Sequence, residues 1–209
     1  MKNRVFMIFM LSTMLLFSME SHFSNYIATR FQKEVEHFHI SALNKSFDGF
    51  QMFGFLRVEN TLLVILFSLI ASRLIKRLSE RGSYYFGALF YVVGYSILTY
   101  FNQPWILLLS MALAVIGEIF FIPSYESCLG DLAQDELRSS YLAMNKIALK
   151  GSMLIGSLGI FLIDALPAST VTFIIFFTGM VALYLGNVVM RALQNQKTKP
   201  IDMLIDRGY

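Results

Sequence analysis

One carboxylate interrupts one of the most apolar stretches of this sequence: Glu118, within Ile106-Leu-Leu-Leu-Ser-Met-Ala-Leu-Ala-Val-Ile-Gly-Glu-Ile-Phe-Phe-Ile-Pro123. A carboxylate in hydrocarbon costs about 2.5–3.5 kcal/mol on insertion scales. Such residues face a bundle interior or a water-filled cavity and serve as substrate, ion or proton sites. A carboxyl group taken out of water holds its proton more readily, which is the chemistry of proton exchange. The competing reading is a structural acid satisfied by a neighbouring helix. Glu126 follows two turns later, as a gating group or an ordinary interface contact. Glu59 stands two residues after Arg57, and residues two apart do not share a helix face. One of the pair therefore faces a headgroup or partner while the other faces the bundle. Lys146 and Lys150 lie one turn apart on one face. Lys146 suits snorkelling toward water, whereas the deeper Lys150 suits a charge partner for Glu118 or Glu126, or an anionic substrate contact. Glu20, Ser21, His22 and Asn25 make a polar break near the end of the first apolar run. It reads either as a gate or cavity lining, or as a helix terminus nearing water; His22 takes the second reading and Glu20 stays open between them.

The elements that must hold these groups are set by composition. The 209 residues are 56% hydrophobic and 15% charged, against about 25% charge in soluble domains, and mean hydropathy is +0.60. This is the profile of an integral membrane protein. A lone Cys128 excludes an internal disulfide or a cysteine metal site. Glu34, Glu36, His37 and His39 carry ligand-type side chains, but their spacing fits no zinc pattern, so no metal centre is expected. No Gly-Lys-Ser/Thr loop points to ATP. Gly156-Ser157-Leu158-Gly159 has the look of a membrane serine-protease motif, yet no transmembrane His is expected to pair with Ser157, so no enzyme is expected. Basic residues fall between apolar runs rather than in a patch, arguing for topology signals and against nucleic acid.

About 20 apolar residues span a bilayer, and six segments qualify: 5–28, 56–75, 84–101, 105–126, 141–163 and 169–191. The basic start Met1-Lys-Asn-Arg4 imitates a signal peptide, but no small-residue cleavage site follows, so the first segment reads as a retained span. Residues 29–55 form a long polar loop. Asn102-Gln-Pro104 and Asp164-Ala-Leu-Pro-Ala168 are tight turns that make their flanking spans antiparallel neighbours. Lys2, Arg4, Arg73, Lys76, Arg77, Arg81, Arg138, Arg191, Lys197, Lys199 and Arg207 collect on one side. Arg30, Lys33, Lys45 and Arg57 are left for the other. The asymmetry puts both termini in the cytoplasm, with Tyr100 and Trp105 at the outer interface. The tail, 194–209, is polar, contains Pro200, and reads as disordered or surface-lying. The many aromatic residues, Tyr84, Tyr85, Phe90, Tyr91 and Tyr95 among them, fit packing and lipid contact, with a lining for lipophilic cations as a further use.

Gly117-Glu118-Ile-Phe-Phe-Ile-Pro123 and the following Asp131-Leu-Ala-Gln134-Asp-Glu-Leu-Arg138-Ser139-Ser-Tyr141 resemble a tenth helix and its cytoplasmic loop in major facilitator superfamily transporters. The likeness is to the drug:proton antiporters above all. There a Gly-Glu pair, a Pro about six residues on, and an Asp-Leu-Ala…Arg-x-x-Tyr loop recur in this order. Gln134 and Ser139 depart from the family's frequent Pro and Gly without removing a charge. Leu56-Arg57-Val58-Glu59-Asn60 resembles the start of the eighth helix of Gram-positive antiporters. Arg73-Leu-Ile-Lys76-Arg77-Leu-Ser-Glu80-Arg81-Gly82 is similar to a degenerate copy of the superfamily's loop motif, lacking its Gly-x-x-x-Asp opening; it also reads as a plain positive-inside loop. Lys150-Gly151-Ser-Met-Leu-Ile-Gly156-Ser-Leu-Gly159 matches the eleventh helix, where small residues let helices approach closely.

The resemblance implies an all-α polytopic bundle of six transmembrane helices, equivalent to helices seven to twelve, one half of the superfamily fold. The chain would be a fragment, a split gene product or an internal-start polypeptide. The implied activity is proton-driven export of small lipophilic, often cationic compounds by alternating access, with the proton gradient in place of any cofactor. Glu118 would be the lead proton or cation site, Glu59 and Glu126 secondary candidates, and Lys150 a charge partner. The implied partners are substrate, protons, the lipid bilayer of a bacterial plasma membrane, and a complementary N-terminal six-helix half or a second copy. The rival expectations are a non-transporting remnant or helix-binding scaffold, and a sugar, peptide or metabolite transporter of the same superfamily.

Overall fold

The computed structural model describes residues 2–34, 38–40, 45–75, 79–133 and 137–205. Glu36, His37, Lys76, Arg77, Asp135, Glu136 and Arg207 lie outside the described residues, and with them the centre of the basic loop and the end of the tail.

The first helix is longer than the expected span 5–28. α1 (Lys2–His22) passes through a π-helical turn, Phe23–Ile27, directly into α2 (Ala28–Glu34). The polar break is therefore not a helix terminus. It supports the wide turn: Ser24 Oγ donates to the Glu20 carbonyl at 3.1 Å and Asn25 Nδ2 to the Ser21 carbonyl at 2.7 Å. These side chains supply carbonyls with donors where the regular ladder is interrupted.

Much of the expected loop 29–55 is also ordered. Strands β1 (Phe38–Ile40) and β2 (Lys45–Phe47) pair antiparallel, with His39 opposite Ser46. α3 (Gly49–Ile75) then starts seven residues before the expected position 56. Its start is a capping box: the Gln51 amide donates to Asp48 Oδ1 at 2.7 Å, and the Asp48 amide donates to Gln51 Oε1 at 3.1 Å. Asp-x-x-Gln satisfies two orphan donors reciprocally. α4 (Glu80–Tyr100) begins at Ser79, whose hydroxyl accepts from the Gly82 amide. α5 (Pro104–Leu132) begins with Pro104, whose missing N–H costs nothing there, and runs through Pro123 without ending. α6 (Arg138–Ala165) and α7 (Ala168–Ile205) complete the chain. The expected tail from 194 thus continues α7 as helix to Ile205.

Among the described residues five segments are long and apolar enough to cross a membrane: Arg4–Glu34, Gly49–Ser68, Pro104–Leu132, Arg138–Ala165 and Ala168–Asn195. α4 has the length, with 21 residues or about 31 Å. Its mean hydropathy is lowered by tyrosines and serines, and these are what it buries: Ser83, Tyr84, Tyr91, Tyr95, Ser96 and Thr99. It packs between α5 and α7, while α1 packs on α6 and α7, and α3 on α5. Phe121 of α5 anchors the aromatic core, its ring against Phe17, Tyr84, Tyr91 and Tyr125. Tyr85 and Phe90 instead sit on the exposed flank.

Two close approaches depend on glycine. A Cβ on Gly87 would lie 2.5 Å from the Phe121 amide nitrogen, and one on Gly117 2.6 Å from the Gly87 carbonyl oxygen. On α6, a Cβ on Gly156 would strike Ser21, and one on Gly159 would lie 2.6 Å from His22 Nδ1. The expected small-residue contact is therefore made against α1, within the π-turn region. His22 is buried inside the helix, which corrects the expectation that no transmembrane His faces this motif. Ser157 still has no part in a Ser–His pair: it is exposed and donates to the Met153 carbonyl at 2.9 Å.

At the end opposite Lys2, Arg30 is fully buried. It donates to the carbonyls of Tyr100 and Phe101 at 3.3 and 3.1 Å and to Asn102 Oδ1, with Glu34 at 3.4 Å. A cation thus satisfies the last carbonyls of α4 at the negative end of its dipole. Replacing Arg30 by Ala should lower the stability of the detergent-solubilised protein by about 2 kcal/mol. Thermal unfolding followed by circular dichroism checks this.

Candidate functional site

Glu118 is the middle residue of α5 (Pro104–Leu132), so it sits at mid-depth of the bundle. Three other helices bring polar groups to the same level. Glu20 comes from α1 just before the π turn, Arg57 and Asn60 from α3, and Tyr91 and Tyr95 from α4.

Arg57 is held from three directions. Its Nη1 lies 3.3 Å from Glu20 Oε1, its Nη2 donates to Ser24 Oγ at 2.8 Å, and its guanidinium stacks 5.4 Å from the centre of the Phe23 ring. The Asn60 amide is within hydrogen-bonding reach of the Glu118 carboxylate, which also feels the charges of Glu20 and Arg57. Behind them Tyr91 and Tyr95 stack edge to face at 4.8 Å, fully buried, each within the electrostatic reach of both carboxylates. Two acids, one guanidinium and one amide thus share one level of the bundle, beside two buried tyrosine rings.

The site is open on one side. The side chains of Arg57 and Glu20 are 40% and 47% exposed. An ion pair that exposed contributes little to stability. With Glu118 only half-buried, the cluster presents two negative and one positive formal charges to whatever faces it. A small cation, or a proton shared between the carboxylates, complements that balance.

The other expected site residues are elsewhere. Glu59 is half-buried on α3 with Oε2 enclosed and without a hydrogen-bond partner among the described residues. The two-residue offset turns it away from Arg57, which takes the contact with α1. Glu126 is exposed and acts electrostatically on Tyr125, whose hydroxyl donates to Asn145 Oδ1 at 2.8 Å. Lys150 does not pair with Glu118 or Glu126. Its exposed Nζ lies 3.9 Å from Met153 Sδ, and no ion pair of Lys146 or Lys150 occurs among the described residues. The physical reason is helix phase: α6 turns Ser152, Gly156 and Gly159 toward its neighbours, and Lys150 projects away from that stripe. The cation whose charge reaches Glu118 is Arg57, and its ion pair is with Glu20. Asn60 was not legible as a site residue, although a polar residue three after Arg57 is a helical-face signal; Tyr91 and Tyr95 were legible only as members of a larger aromatic set that could line a cation site.

A charged cluster at mid-depth of a helical membrane bundle is the arrangement of a transport protein. A sequence model of the Major Facilitator Superfamily matches residues 3–201, and the chain belongs to this superfamily of transmembrane transporters. It is 28% identical over 98 residues to a Na(+), Li(+), K(+)/H(+) antiporter of Planococcus maritimus, covering 47% of this chain and 23% of that protein. Its backbone is similar to the crystal structure of a POT family transporter in complex with 5-aminolevulinic acid, with TM-score 0.65 and 19% identity. That match covers 95% of this chain and 42% of that one. The matched regions are less than half of either relative. The all-α fold and its membership of the superfamily agree with the reading of the sequence.

Proposed function

We propose that this chain provides one wall of a proton-coupled exporter of small cations, with Glu118 as the exchanging carboxylate. The observation that carries the reading is the mid-depth cluster of Glu118, Glu20 and Arg57, half-exposed on one face. Protons and cations compete for such a site, so occupation by one releases the other. The antiporter likeness supports a monovalent inorganic cation. A lipophilic cation, as in multidrug efflux, is the second reading, favoured by the aromatic rings of Phe23, Phe53 and Tyr95 beside Arg57. The basic ends of the helices argue for termini in the cytoplasm of a bacterial cell.

A half-exposed charged face is costly against lipid. The cluster therefore works with a second set of helices, from further sequence, a complementary six-helix half or another copy. Alone, this chain transports nothing. Everted vesicles containing the chain with such a partner, energised to an acid interior, test the reading. Addition of Na+, Li+ or K+ should collapse the pH gradient for an inorganic exchanger, and ethidium should do so for a multidrug exporter. Activity of the purified monomer alone sinks the need for a partner, and silence toward all these cations sinks the cation assignment.

Arg57→Ala separates site chemistry from fold. Because the Glu20 pair is exposed, stability should change by less than about 1 kcal/mol. The concentration of cation giving half-maximal exchange should nevertheless fall, since a competing positive charge is removed. An unchanged half-saturation constant with lowered stability would assign Arg57 to scaffolding.

A further inference from the structure

The contact between α4 and α7 is tight in the middle and open at both ends. A Cβ on Gly186 would strike the Tyr84 hydroxyl, and one on Gly179 would lie 2.5 Å from Val92 Cγ1. Past Gly186, toward the basic end of the bundle, the facing side chains become long. There the helices enclose a cavity of about 470 Å³ containing Arg81 of α4 and Asn187, Arg191 and Gln194 of α7. The last three recur at i, i+4 and i+7 on one helical face. Arg81 Nε donates to Asn187 Oδ1 at 2.9 Å, which fixes the guanidinium and leaves its two terminal amino groups. Neither arginine is in an ion pair among the described residues. Among the described residues no acid lines this cavity; Glu80 and Asp131 border an adjoining space of about 30 Å³ that shares Arg81 and Gln194 with it.

We propose that this cleft binds the phosphodiester headgroup of an anionic membrane phospholipid. Two guanidinium forks match phosphate oxygens with paired charge-assisted hydrogen bonds, and the Ser79 hydroxyl and the side-chain amides suit the glycerol hydroxyls. The depth is that of headgroups: Arg81 is the second residue of α4, and Arg191 lies in the last turns of the apolar span Ala168–Asn195. The source is a lipid rather than a soluble phosphate because the mouth carries exposed aromatic rings. Tyr85 is 37% and Phe86 56% exposed on the flank of the bundle, where acyl chains would lie. At its other end the same helix pair opens into a cleft of about 360 Å³ lined by Ile97, Tyr100, Phe101, Phe173 and Phe176, without a charge. That cleft offers the hydroxyls of Ser96, Ser169 and Thr172 but no cation for a phosphate, so selectivity for an anionic headgroup belongs to the basic end.

Native mass spectrometry of the delipidated full chain in neutral detergent tests this, with equimolar phosphatidylglycerol and phosphatidylcholine added. One phosphatidylglycerol should be retained preferentially. Arg191→Gln, at an exposed site, should weaken that adduct about fivefold. Arg81→Gln with Arg191→Gln should erase the preference, while Phe173→Ala in the apolar cleft should leave it intact. Circular dichroism of each variant verifies the fold. Equal retention of both lipids, or an unchanged preference in the double variant, overturns the proposal. Displacement of phosphatidylglycerol by millimolar inorganic phosphate overturns its lipid component.

Discussion

Glu118→Gln is expected to reduce cation-dependent collapse of the pH gradient, in vesicles carrying the chain and its partner helices, to the level of vesicles without protein. Glutamine keeps the shape of the side chain and retains an oxygen for the Asn60 amide, so the helix contact survives. What it removes is the choice between carrying a proton and carrying negative charge, the role proposed for this residue. Glu20→Gln should be milder. Glu20 sits beside Arg57, and its loss frees a cation that then acts on Glu118. Normal exchange by Glu118→Gln would move the coupling role to another group, with Glu59 next to be examined because of its enclosed, unpartnered oxygen.

Gly117→Leu should do the most damage to the fold. Any Cβ at this position meets the Tyr91 amide nitrogen and lies 2.6 Å from the Gly87 carbonyl, atoms of a helix backbone that cannot rotate away. α4 must withdraw from α5, and the buried Tyr91–Tyr95–Phe121 packing goes with it. Overpacking of this kind costs about 3 kcal/mol or more, a large share of a total stability of about 5–15 kcal/mol. Gly117→Ala should cost less, and Gly130→Ala, where a Cβ meets nothing within 4 Å, should be neutral or slightly stabilising. Unfolding temperature in detergent ranks the three. Equal stability of Gly117→Leu and Gly130→Ala would mean that α4 and α5 are not in backbone contact.

The order of the long helices was legible because hydrocarbon admits few ways to satisfy a backbone, and composition records them. Helix ends were less so. The span from 56 begins instead at Gly49, because Asp48 and Gln51 cap a start that hydropathy does not register. Glu118 announced itself, being a charge among leucines. Its neighbours did not: periodicity orders residues around one helix but does not say which helix is next. Lys150 is the charge partner the sequence suggests; the packing of α3 on α5 and of α6 on α1 brings the charge of Arg57 to Glu118 instead, with Arg57 itself paired to Glu20. The tyrosines of α4 were hidden for a related reason, since residues that make a helix look less like a span are the ones it buries.

The π turn at Phe23–Ile27 gives one helix two independent phases. An extra residue in the repeat rotates everything beyond it by about 100° relative to an unbroken α-helix. Glu20 can therefore answer to Arg57 while Arg30, ten residues later, answers to the end of α4. One continuous helix thus presents two faces at once, the first turned to the Arg57 cluster and the second to the buried clamp at the end of α4.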